Sequence, residues 1–455
     1  MGLLRKHEGK TLEFKRDLSS PVNVLRSIVA FANSSGGVLL LGVEDETRTV
    51  RGIETPLDVQ ERLANIISTG VCPPLMPAIE VLPWRDKALI GVEVFPSYSR
   101  PHHLVATGVE EGTYIRVGAS NRKADRQMRE ELARTARNEA YDEQPLPQLN
   151  SEAIDFRAAS ELLAPFRTIK KRDLQSLHFV VRHQGQLVPT CGGIILCGAD
   201  RAAVFPDAWI QVGRFGGTTR TRIDDTRELR DYPARSIEEA TEFVRKHALR
   251  SFRIEGVRRD EQWSIPLPAV REAIVNAVTH SDYSQIGAPI RVSVFDDRVE
   301  VESPGLLPFG LTVDDILRGV SRLRNRVIGR VFKDIGLIEQ WGSGIGRMVD
   351  TCREHGLPPP EFEEVATHFR VTFRLQPAAR PEPDGTTRTV LDAIRKGNGL
   401  STKDVAEVAG ISPRSARTRL KALVERKLIV EVGTSPTDPR RVYMPVDTGS
   451  FSASA

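Results

Sequence analysis

At 455 residues the chain is long enough for about three domains of ordinary size, each burying its own core. Its 40% hydrophobic and 27% charged content is that of a globular protein, and a formal charge of +4 is too small to establish a nucleic-acid partner without local clusters. The four cysteines, Cys72, Cys191, Cys197 and Cys352, lack Cys-x-x-Cys spacing, which argues against a zinc or disulfide framework, and no apolar run approaches the roughly 18 residues of a membrane helix, so the chain reads as cytoplasmic.

Residues 1–139 read as one α/β domain. A short strand at 11–15 is followed by a helix at 21–33 opened by Ser20 and Pro21, then by a buried strand at 38–43 after the Ser34-Ser35-Gly36-Gly37 turn. A helix at 58–68, strands at 88–95 and 113–117, and a charged helix at 125–139 complete it. Three acids, Glu8, Glu13 and Asp45, fall at the rims of these strands. In a strand Glu13 and Lys15 share a face while Phe14 points the other way, which by itself describes a surface ion pair worth about 0–1 kcal/mol.

The stretches EGKTLEFKRD, AFANSSGGVLLLGVEDE and GTYIRVGASNRKAD resemble the successive signatures of the Schlafen AlbA-like domain. Nuclease members of that family hold a metal ion on two glutamates and an aspartate. The resemblance maps this trio onto Glu8, Glu13 and Asp45, implies Mg2+ or Mn2+ there, and places Lys15 to stabilise charge on a phosphate being cut. Bacterial members with the same arrangement are DNA-binding regulators. Arg116, Asn121, Arg122 and Lys123 add groups suited to a phosphate backbone.

Residues 140–255 read as a linker and connecting α/β region. A polar, proline-bearing linker at 140–152 leads to helices at 153–163 and 171–179, a β-rich apolar run at 187–198, a strand at 209–215 and a helix at 236–249, with no catalytic constellation.

The stretch 256–376 is organised around REAIVNAVTHSDY at 271–283. Its apolar residues promise a buried helix, yet Glu272, Asn276 and His280 recur every four residues and line up on one face. A strand-like segment at 291–305 follows, and WGSGIGRMVDTCREHG at 341–356 sets glycines immediately before a helix, where backbone amides can approach a phosphate. Asn276 is a suitable ligand for a largely hydrated, phosphate-bound magnesium ion, and Glu272 is placed to orient or deprotonate a water. The combination resembles the GHKL superfamily, the fold of gyrase, Hsp90 and histidine kinases, in its divergent branch of bacterial ATP-binding transcriptional regulators. That resemblance implies ATP as ligand, Glu272 as base and Asn276 as magnesium ligand. It maps the glycine box onto Gly342, Gly344 and Gly346, with His280 and Gly305 in the nucleotide-binding set. The family's Asp-x-Gly-x-Gly box is replaced here by Glu302-Ser303-Pro304-Gly305. The basic segment 319–340, with Arg322, Arg324, Arg326, Arg330 and Lys333, takes the place of the family's ATP lid.

After a proline-rich linker at 376–387, helices at 388–395, 401–408 and 413–426 and strand candidates near 429–432 and 441–444 follow the order of a winged helix-turn-helix, residues 388–446. The third helix turns Ala416, Leu420, Leu423 and Val424 inward and Arg414, Arg417, Thr418 and Lys421 outward, as a recognition helix does. Arg440 and Arg441 would arm the wing, and 447–455 read as a disordered tail.

The expected fold is therefore a multidomain chain of α/β and α+β units: an AlbA-like domain, a GHKL-like (Bergerat) α/β sandwich and a C-terminal winged helix. Two functions stay open. One is an ATP-binding, DNA-binding transcriptional regulator; the other is a metal-dependent nuclease cutting DNA or RNA, gated by ATP. Both are expected to work as homo-oligomers.

Overall fold

In the computed structural model, strand β1 (Leu12–Lys15) runs parallel to β2 (Gly37–Leu41), joined by helix α1 (Pro21–Ala32). The structure describes residues 2–445 apart from 46, 248–249, 256–257, 264, 339–341, 376–384, 397–398, 426–427 and 434–440. Contacts divide the chain into two units, one made of residues 1–133 with 380–455 and the other of residues 134–379.

In the first unit, helix α2 (Pro56–Gly70) leads into the hairpin β3 (Ala78–Trp84) and β4 (Lys87–Val94), giving a four-stranded sheet in the order β1-β2-β4-β3. Strand β3 is absent from the sequence reading because Pro77 and Pro83 punctuate it; a proline is tolerated there because β3 is an edge strand. The side-chain period of two separates the faces of the sheet. Leu39, Leu41, Ile90 and Val92 join Ile28, Phe31, Leu63 and Ile67 of the helices in one core, while Leu12, Phe14, Leu40 and Leu89 point to the other face. The hairpin β5 (Tyr114–Val117) and β6 (Ser120–Lys123) follows.

Among the described residues, one core cluster of the second unit runs from Ile154 to Phe373 and includes residues of the connecting region read as 140–255. The apolar run at 187–198 ends in a helix, α3 (Cys191–Cys197), where an extended continuation was expected. Thr190 turns the chain by accepting the Gly193 amide on its hydroxyl at 3.0 Å, and all seven helix residues are buried. Strands β7 (Ile210–Phe215) and β8 (Ile223–Leu229), helices α4 (Pro233–His247) and α5 (Leu267–His280), and strands β9 (Ile290–Val294) and β10 (Arg298–Pro304) come next. Helices α6 (Arg326–Asp334) and α7 (Gly344–Glu354) and the hairpin β11 (Glu361–Val365) and β12 (His368–Arg374) close the unit. The six-stranded sheet runs β8-β7-β9-β10-β12-β11, so two of its strands come from the presumed connector.

Nor is the stretch at 140–152 a free linker. Asp142 is fully buried, and its carboxylate accepts the backbone amides of Arg326, Val327 and Ile328 at 2.9, 2.7 and 3.0 Å, capping α6. Burial of this carboxyl pushes its pKa up to about 7 against the pull of those three amides.

The chain returns to the first unit with helices α8 (Gly385–Lys396), α9 (Thr402–Val408) and α10 (Pro413–Glu425) and the ribbon β13 (Ile429–Val432) and β14 (Val442–Pro445). Val390, Ile394, Val405, Leu420, Leu423 and Tyr443 fill its core. Leu400 exchanges two backbone hydrogen bonds with Tyr443, extending the ribbon beside the helices. Most of the proline-rich linker and the whole 447–455 tail lie outside the described residues.

Candidate nucleotide and nucleic-acid sites

Helix α5 buries Ala273, Ile274, Val275, Ala277 and Val278 and leaves Glu272, Asn276 and His280 half-buried along one side. All three line one cavity together with Gly305, Gly342 and Gly344. Of the expected glycine set, Gly346 alone stands outside; it is exposed, with open space around it. Asn276 donates to Glu272 Oε1 at 3.4 Å, and the Arg347 guanidinium reaches Glu272 Oε2 at 3.5 Å. His280 Nδ1 is buried with no hydrogen bond, and burial lowers this imidazole to a pKa of about 4, so it is neutral at physiological pH.

Two glycines sit in close quarters. A Cβ on Gly344 would overlap the Glu272 carboxylate as it lies, so the glycine segment packs directly against the end of that flexible side chain, which would have to shift to admit one. Gly342 has φ +65°, and a Cβ there would overlap the backbone carbonyl of Gly319. Gly342→Ala is therefore expected to displace residues 319–321 and to cost roughly 1–3 kcal/mol of stability, read as a lower melting temperature of the second unit. An unchanged melting temperature would mean that this loop yields freely.

Ser303 and Arg347 are among the cavity residues that sequence reasoning missed. Ser303 shares the inward face of β10 with Val301, a position the alternation of that strand specifies. Arg347 follows the glycines by one helical turn, at the positive end of α7. Glu302, in the place of the family's adenine-reading box, points to the opposite face of the sheet, where it pairs with Arg370 at 2.9 Å and with Arg220 and Arg291 at 3.5 Å. Burial works against this carboxylate, but the Arg370 hydrogen bond and the Arg220 and Arg370 charges hold it below its usual range.

The basic segment read as a lid divides in two. Val320, Ser321, Arg322 and Leu323 line the cavity. Arg326 to Asp334 instead form α6, whose Val327, Ile328, Val331 and Phe332 are fully buried core, so this half has no freedom to close over a ligand. Arg324 is drawn inward and donates to the Leu306 carbonyl. Glu339, Gln340 and Trp341 lie outside the described residues.

The acidic trio of the first unit is not assembled as the sequence predicts. Glu13 is 4% exposed, and both its oxygens are engaged: Oε1 by Lys15 at 2.5 Å and Oε2 by Arg116 at 2.6 Å. Arg116, read from sequence as a phosphate contact, is 1% exposed beneath the strand. Its guanidinium also donates to the Gly9 carbonyl at 3.0 Å and to Asn121 Oδ1 at 2.9 Å, and lies 5.3 Å from the centre of the Phe31 ring. Glu8 accepts the Phe14 amide at 2.5 Å, and burial together with a hydrogen bond to Asp45 raises its pKa to about 7. Glu8 and Asp45 thus form a hydrogen-bonded pair beside a salt-bridged third acid. Among the described residues no three Asp, Glu, His or Cys side chains are arranged to hold a metal ion. As placed, Glu13 is engaged by Lys15 and Arg116, while Glu8 is engaged by Asp45 and the Phe14 amide, so the three acids do not converge on one common point. Arg122 and Lys123 remain exposed.

On α10, Arg414, Arg417, Thr418 and Lys421 are exposed, with Ala416, Leu420 and Leu423 buried opposite, as the helical period predicts. The Thr418 hydroxyl donates to the Arg414 carbonyl at 3.2 Å within the helix. Arg441 pairs with Glu431 across the ribbon, and Arg440 lies outside the described residues.

Comparison with known proteins agrees with this division. Residues 8–125 match the family model described as Schlafen, AlbA_2; residues 287–373 match that described as "ATP-dependent DNA helicase recG C-terminal"; residues 383–430 match that of a winged helix-turn-helix DNA-binding domain. The chain joins an AlbA_2, an ATPase-type and a winged helix-turn-helix module. The ATPase match begins after α5, so the helix bearing Glu272 and Asn276 is placed by the structure alone. Among solved structures, the chain is similar to the DIP2311 protein from Corynebacterium diphtheriae, at 19% identity over 96% of this chain and 92% of that one, with a TM-score of 0.44. It is also similar to the N-terminal domain of a RecG-related protein from Nitrosomonas europaea, at 29% identity over 27% of this chain and 90% of that one, with a TM-score of 0.23. No curated protein matches the chain. Among the described residues no helix is long and apolar enough to cross a membrane.

Proposed function

We propose that this protein binds ATP and DNA and acts as a transcriptional regulator whose nucleotide state sets its hold on DNA. The observation that carries the nucleotide half is the meeting of α5 and the glycine segment in one cavity, where Gly344 packs directly against the Glu272 carboxylate. The amides at the start of α7, and the Arg347 guanidinium that now pairs with Glu272, would hold a phosphate. Asn276 would hold a magnesium ion, which supplies charge neutralisation to the phosphates when bound. Glu272 is placed to orient or deprotonate a water. Leu306, Ile316, Met348 and Phe369 offer apolar surface to the base, and Ser303 and the neutral His280 supply polar groups to orient it.

Calorimetric titration with ATP, in the presence and absence of magnesium, tests the assignment. Asn276→Ala is expected to weaken magnesium-dependent ATP binding by about 10–100-fold while the fold persists, since alanine is the better helix former. A variant that binds ATP and magnesium as the parent does would refute the role given to α5.

The DNA half rests on the exposed basic face of α10.

A further inference from the structure

The two strands of the winged-helix ribbon are buried on both faces. On one side Ile429 and Tyr443 complete the core of the three helices. On the other, Val430, Val432 and Met444, each no more than 3% exposed, join Phe14, Leu40, Val43, Val50, Trp84 and Leu89 of the AlbA_2 domain in a single apolar cluster. The backbone continues the join: the Val50 amide donates to the Gly433 carbonyl at 2.7 Å, and Thr49 pairs with Gly433 as a parallel bridge. A ribbon that lies on a phosphate backbone presents polar and basic groups on its free face. This one presents valine and methionine, which the AlbA_2 sheet removes from water.

We propose that the ribbon is a dock for the AlbA_2 domain and that the two modules, whose contacting segments lie some 380 residues apart in sequence, meet nucleic acid as one body. The chain segment that receives the ribbon also carries the acid pair. Val43 and Val50 pair at the base of a hairpin whose tip bears Asp45, and Val50 is the residue bonded to Gly433. Phe14, in the shared cluster, gives its amide to Glu8. An element that holds α10 in place therefore also holds the Glu8–Asp45 edge, and the recognition helix cannot swing without disturbing that hairpin.

Hydrogen exchange on the full chain tests this from both sides. Val432→Asp places a carboxylate in the shared cluster and is expected to speed exchange about tenfold or more in peptides covering residues 38–50, while peptides 390–394 and 416–423 keep parent rates. In case that variant loses the winged helix itself, Trp84→Ala perturbs the cluster from the AlbA_2 side and is expected to speed exchange in 429–432 and 442–445 with residues 24–32 unaffected. Acceleration confined in each variant to its own module would overturn the dock. The DNA arm rests on the function proposed above: adding a duplex to the parent is expected to slow exchange in 413–425 and in 43–50 together. Slowing at 413–425 alone would sink the one-body claim, whereas slowing at neither would count against the DNA reading and leave the two variants to decide the dock.

Discussion

Reversing the charge of Arg414, Arg417 and Lys421 to glutamate is expected to weaken binding to a DNA duplex by on the order of 10²–10³-fold at 0.1 M salt, and to reduce the slope of log affinity against log salt by about 2.7. Each phosphate contact releases condensed counterions and contributes about 0.9 to that slope, so the two readouts are linked. The three side chains stand exposed on the face of α10 opposite Leu420 and Leu423, and the substitutions leave those core contacts untouched. Any of the three that reads a base edge instead will show as lost sequence preference at a smaller change in slope. Unaltered affinity and slope would mean that this helix does not face DNA.

Glu13→Gln is expected to destabilise the first unit by about 3 kcal/mol or more, lowering its melting temperature by roughly 6–12 °C. The substitution keeps the size of the side chain but removes the counter-charge of Arg116, a buried guanidinium held at 2.6 Å, and of Lys15 at 2.5 Å. An uncompensated buried cation is the costly product of breaking such a pair, more so than the pair's own net worth. A metal-ligating trio predicts the opposite sign, because removing one of three crowded carboxylates in an empty site relieves their repulsion. Thermal unfolding of parent and variant, without added metal, separates the two: a rise in melting temperature would restore the metal reading.

The elements that follow a clean period were legible in the sequence. The stripe of Glu272, Asn276 and His280 on an otherwise apolar helix marks the polar wall of a cavity, and the alternation of α10 between Leu420 and Arg417 marks its two faces. What remained hidden depends on contacts between distant segments. Nothing near Asp142 shows that it caps a helix about 185 residues later, so 140–152 read as linker. Nothing near Arg116 shows that it lies under Glu13, so the ion pair between them is not legible in the sequence. The segment 319–340 carries enough arginine to look solvated throughout, yet Val327, Ile328, Val331 and Phe332 form an apolar stripe that makes half of it core. For a related reason the sequence places β7 and β8 in a connector, whereas by hydrogen bonding they belong to the same sheet as β9.

Affinity for one DNA duplex, measured at fixed salt with and without saturating ATP and magnesium, tests the central claim most directly. Coupling between the nucleotide cavity and α10 predicts a change of at least about fivefold in the DNA dissociation constant, matched by an equal change in ATP affinity when DNA is present, and absent in Asn276→Ala. Equal DNA affinity in the two conditions, with ATP demonstrably bound, would contradict a nucleotide-controlled regulator.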